Sequence, residues 1–119
     1  VTDPKTPAQL ASEAAEAVRS LNHATLSMGD LDWEYPSNAY SVIGGLERAA
    51  GYLPQTIAQV RRLLDDLYAD GHVGTTTGTP AQKLVEATDA LDEARRLAAQ
   101  LNAALQRAHN ATSPLTYED

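Results

Sequence analysis

His23 and His109 are two of only three histidines in a chain of 119 residues that has no cysteine. Imidazole nitrogens ligate transition metals and carry protons near neutral pH, so these two side chains are the first to test for chemistry. Neither stands in a ligand pattern. H-E-x-x-H is absent, as is the E-x-x-H pair by which helical bundles hold two metal ions. No serine lies in G-x-S-x-G, and no third group is placed to orient a histidine as a base. Asp65, Asp66, Asp70 and His72 form a second cluster at the end of a helical pattern, where acids oppose the helix dipole. That misfit hints at a cation or a basic partner, yet its spacing matches no calcium loop. The glycine-rich GHVGTTTGTP of residues 71–80 leads into a helix N-terminus, a place where backbone N–H groups hold anions. It lacks the G-x-x-x-x-G-K-[ST] spacing of a phosphate loop and reads as a connector. The expectation is a non-enzymatic protein with no cofactor and no metal, His23 and His109 being the weak metal candidates.

The helices that would position these residues are legible. TPAQ occurs at 6–9 and again at 79–82, each time before an apolar periodic run. Threonine caps, proline takes the first helical position where its missing N–H is harmless, and glutamine sits where it can reach back to the cap. Leu10, Ala14, Ala17, Leu21, Ala24 and Met28 alternate by four and three and end at Gly29, predicting a first helix over about 7–28. Leu84, Ala87, Leu91, Ala94, Ala98, Leu101, Leu105 and Ala108 predict a last helix over about 80–109, with a tail at 110–119. Between them Ile43, Leu46, Ala50, Leu53, Ile57, Val60, Leu64 and Leu67 keep the same phase through Pro54. A helix over about 38–70 follows, starting near Ser37 and kinked or briefly interrupted at Gly51 to Pro54. Gly44, Gly51 and Ala58 recur every seven residues beside this seam, a smooth strip suited to close approach by a neighbouring helix.

Three seamed helices with short connections predict an all-α, elongated, up-down-up antiparallel three-helix bundle in a single domain. A full break at Gly51 would give a four-helix bundle instead. In the three-helix arrangement the end of the first helix, the loop GDLDWEYPS, the start of the second helix and the end of the third share one pole. Trp33, Tyr35, Tyr40, His23 and His109 gather there with Asp30, Asp32 and Glu34 around them. Trp33 and Tyr35 either cap the open end of the core or, with Tyr40, form a docking patch, since exposed aromatic residues dominate binding energy at interfaces. Val42, Leu63, Tyr68, Val85 and Leu97 lie off the seams and serve either a second interface or a thicker core.

The formal charge of −7, with RR pairs at 61–62 and 95–96 each flanked by acids, argues against a nucleic-acid partner, which requires a basic footprint. No apolar run approaches the roughly 20 residues that span a bilayer, and the opening VTDPKTP has no secretion-signal pattern. A cytoplasmic location and no membrane partner are expected. LNHATL at 21–26, YSVIGGL at 40–46 and YLPQ at 52–55 resemble a set of small helical proteins of actinobacteria, and the preference for arginine and alanine fits such an origin. That resemblance implies a helical bundle and no particular activity. The functional expectation is a protein-interaction or regulatory module that binds a protein partner or forms a homodimer, the alternative being a bundle that binds a small ligand or a metal.

Overall fold

The computed structural model describes residues 3–119, and these form three helices: α1, Pro7–Ala24; α2, Pro36–Ala69; and α3, Pro80–Thr112. Each opens with proline in its first turn. At α1 the cap is reciprocal. The Gln9 N–H donates to Thr6 Oγ1 at 3.2 Å and the Thr6 N–H to Gln9 Oε1 at 2.8 Å. At α3 the Gln82 N–H donates to Thr79 Oγ1 at 3.2 Å, satisfying one of the free N–H groups of the first turn. The start of α2 uses a different device. Asn38 Oδ1 accepts from the N–H groups of Glu34 and Tyr35 at 3.0 and 2.9 Å, so α2 begins at Pro36, slightly ahead of its expected start.

The first helix ends at Ala24, four residues before Met28. Thr25 directs both its backbone N–H and its hydroxyl to the Leu21 carbonyl, at 3.1 and 2.8 Å, and turns out of the helix with ψ 15°. Met28 therefore leaves the apolar stripe and stands 82% exposed. The end of α2 is a Schellman cap. Gly71 takes φ +78° and donates to the Tyr68 carbonyl at 3.0 Å, while the His72 N–H donates to that of Leu67 at 2.9 Å. The third helix runs three residues beyond 109, and the Thr112 hydroxyl donates to the His109 carbonyl at 3.0 Å.

The middle helix is one continuous element with Pro54 inside it, so the four-helix alternative is not realised. It packs closely and antiparallel against α3. Gly44 faces His109, Gly51 faces Asn102 and Arg61 pairs with Asp92, so residue numbers fall along one helix as they rise along the other. The glycine strip is what admits this approach. A Cβ at Gly44 would meet His109 Nε2 at 2.9 Å, and one at Gly51 would meet Asn102 Nδ2 at 3.0 Å. Asn102 uses the closeness to donate to the Glu47 carbonyl at 2.7 Å, one turn before the glycine. Asn102 and His109, seven residues apart, thus form a polar pair laid on Gly51 and Gly44, beside the apolar seam of α3.

The first helix lies antiparallel to α2 and more loosely. Leu21 shares a groove with Val42, and Leu10 another with Leu53, while no α1 Cα comes within 8 Å of any Cα in α2 or α3. At 100° per residue, the α2 positions that meet α1 and those that meet α3 lie roughly 150° apart, which places α2 between its two neighbours. The extents of 65 × 37 × 27 Å describe a long, shallow body. Among the described residues no helix is long and apolar enough to cross a membrane.

Candidate functional site

A chain of 12.7 kDa folded compactly exposes about 6,200 Å². This one exposes 9167 Å², about half as much again. Its radius of gyration is 19.2 Å, against about 13.5 Å for a compact domain of this length. Among the described residues only Ala50, Ala98, Gly44 and Thr88 are buried, and no large side chain is fully enclosed.

Part of the exposed apolar surface is gathered in one place, while Leu26, Met28, Leu31, Tyr52 and Leu63 stand exposed elsewhere. On α2 the seam from Ile43 to Leu67 points between the directions of α1 and α3, forming the floor of an open trough. Leu53 and Val60 there are 43% and 46% exposed. On α3, Leu97 and Leu101 stand exposed along the same side. The α1 wall is short. Eighteen residues reach about 27 Å while the 34 of α2 reach about 51 Å, so α1 ends near Thr56 and leaves Ile57 to Tyr68 flanked by α3 alone. Where α1 does run, the groove lined by Pro7, Leu10, Ala11, Ala14, Leu53 and Thr56 encloses about 480 Å³. The floor carries no free charge. Arg61 at its edge is held by Asp92 and by Asp65, the latter at 3.4 Å. The hydrogen bond from Arg61 keeps the Asp92 carboxyl below the usual carboxylate range, and Asp92 in turn raises the guanidinium above its ordinary value.

The expected aromatic pole is divided. Trp33 is half-buried, its backbone N–H donating to the Asp30 carbonyl at 3.0 Å in a turn where Asp32 takes φ +53°. Tyr35 is exposed and meets Tyr117 edge to face, with ring centroids 5.1 Å apart, so the C-terminal tail folds back onto the start of α2. Together with Met28, Glu34 and Ala39, Trp33 and Tyr35 line a shallow groove of about 240 Å³. Tyr40 belongs elsewhere. It stacks on His109 at 4.0 Å and 18°, within the α2–α3 contact. His23 lies exposed on α1 beside Glu16, Arg19 and Ser20, in a different setting from His109. Among the described residues no three His, Cys, Asp or Glu side chains converge as a metal would need.

The trough was missed in the sequence because a seam of correct spacing reads as core. The signal that finds it is the mismatch in length between the first helix and the other two. No family model, curated protein or solved structure matches the chain.

Proposed function

We propose that this chain is a non-enzymatic, cytoplasmic protein-interaction module whose working surface is the apolar trough floored by α2. The observation that carries this reading is the apolar floor left open to water, with Leu53 and Val60 43% and 46% exposed, on a chain whose total surface of 9167 Å² is far above that of a compact domain, because exposed apolar patches mark interaction sites. The uncharged floor excludes a phosphate backbone as its occupant, and the net charge of −7 opposes one over the whole molecule. Trp33 and Tyr35 at the pole offer a second contact, without Tyr40, which is engaged by His109 in the α2–α3 packing.

A photoreactive phenylalanine analogue placed at Val60 in the trough, and at Val85 outside it, tests the proposal in cells that make the protein. Efficient cross-linking to protein from position 60 and little from position 85 is the expected result. Absence of any protein adduct at position 60 would sink the reading.

A further inference from the structure

We infer that the trough is closed by a second copy of the same chain, with the two α2 seams packed antiparallel about a two-fold axis near Gln55; this rests on the interaction reading above. Three observations lead there.

The seam is self-complementary. Its intervals are the same read from either end, so one antiparallel register sets Ile43 on Leu67, Leu46 on Leu64 and Leu53 on Ile57 of the second copy, with Val60 over Ala50, which the chain's own packing already buries. Alternating steps of three and four are what two helices need to interdigitate along a shared face.

The short first helix then finds its complement. In its present register α1 runs beside α2 from roughly residue 39 to residue 56 at equal rise per residue. The two-fold places the second α1 on the same flank and reversed in direction, beside roughly residues 54 to 71. The two half-length helices follow one another along the full length of α2 without overlapping, and the uncovered stretch from Ile57 to Tyr68 gains a wall. The same operation stacks α3 on its copy, with the axis passing close to the exposed Leu97 and Leu101. The result is six helices around one core.

The area is of the right size. The chain carries roughly 2,900 Å² more surface than a compact monomer of its mass. Permanent dimers remove about 1,000–2,500 Å² from each partner, so a second copy accounts for between about a third and about six sevenths of that excess. The charged residues nearest the trough are already paired or lie on its rim, so bringing two acidic chains together does not bury like charges on the floor.

Light scattering behind a sizing column, across a hundredfold range of concentration, should give twice the chain mass of 12.7 kDa. Val60→Glu should weaken association at least tenfold, while Val85→Glu on the opposite side of α3 should leave it unchanged. The register has its own test, which works without disrupting the seam. Because the chain has no cysteine, Leu46→Cys and Leu64→Cys variants carry one thiol each. A short bis-maleimide should join the two variants when mixed and join neither to itself. The chain mass at every concentration, a dimer indifferent to Val60→Glu, or equal cross-linking of Leu46→Cys with itself would each overturn the inference. A monomer whose position 60 still cross-links to a different protein would overturn only the second copy. A monomer that cross-links to nothing would remove the interaction reading as well.

Discussion

Replacing Gly44 with alanine places a Cβ 2.9 Å from His109 Nε2, closer than a carbon and a nitrogen pack without one of them moving. The histidine ring is not free to swing away, because one of its faces stacks on Tyr40 at 4.0 Å. Two effects of opposite sign compete. Alanine in place of glycine within a helix stabilises by about 0.5–1 kcal/mol through backbone entropy. Forcing an extra methyl group into a closed contact destabilises by about 1–3 kcal/mol. The clash wins, and Gly44→Ala should destabilise the protein by about 1 kcal/mol, lowering Tm by about 3–6 °C. Removing the ring reverses the sign. In a His109→Ala background the clash is gone and Gly44→Ala should stabilise by about 0.5–1 kcal/mol. Urea unfolding followed by far-UV circular dichroism, at one fixed protein concentration, measures all four members of the cycle. A Gly44→Ala variant more stable than its parent, or an equal effect in both backgrounds, would refute the claim that the glycine strip exists to admit His109.

Asn102→Ala should lose about 1 kcal/mol in the same urea assay, the net worth of its hydrogen bond to the Glu47 carbonyl, and Asn102→Asp should lose more because an acceptor would then face an acceptor. Pro54→Ala restores a backbone donor for the Ala50 carbonyl and should stabilise α2 by about 1–3 kcal/mol in thermal melts. Arg61 lowers the folded-state pKa of Asp92, so the stability this pair contributes is complete above the ordinary carboxylate pKa and is lost as pH falls through the lowered value. The difference in Tm between the parent and Asp92→Asn should therefore shrink as pH is taken from about 6 to about 2.

Much of this fold is legible in single residues. The repeated TPAQ marks two helix starts because capping is local, and the unbroken seam through Pro54 favours one axis over two because a broken helix has no cause to keep phase, although it leaves open the brief interruption that the continuous α2 does not show. Local reasoning fails at Thr25. The apolar spacing continues to Met28, but a hydroxyl bonded to the Leu21 carbonyl ends the helix first. It fails again at Asn102 and His109, where packing on glycine is decided by size and reach and a reading of hydrophobicity passes over polar side chains. The aromatic pole divides for a related reason. Tyr40 lies beneath His109 only because of the α2–α3 register, and the partner of Tyr35 is Tyr117, from a tail whose path no helical period describes. The trough needed a quantity that periodicity does not carry, the reach of α1 relative to that of α2.

So much apolar surface left in water also shapes the response to temperature. Unfolding a compact chain of this length raises the heat capacity by roughly 1.4–1.8 kcal/mol/K, almost all of it from newly wetted apolar groups. A lone copy has already wetted many of them, so its heat-capacity increment is smaller, its stability curve is broad and shallow, and warming or cooling changes its free energy little. Covering the trough restores the missing increment. For the proposed dimer the expectation is a sharper stability maximum than that of its separated copies, with a stronger response to heat and to cold.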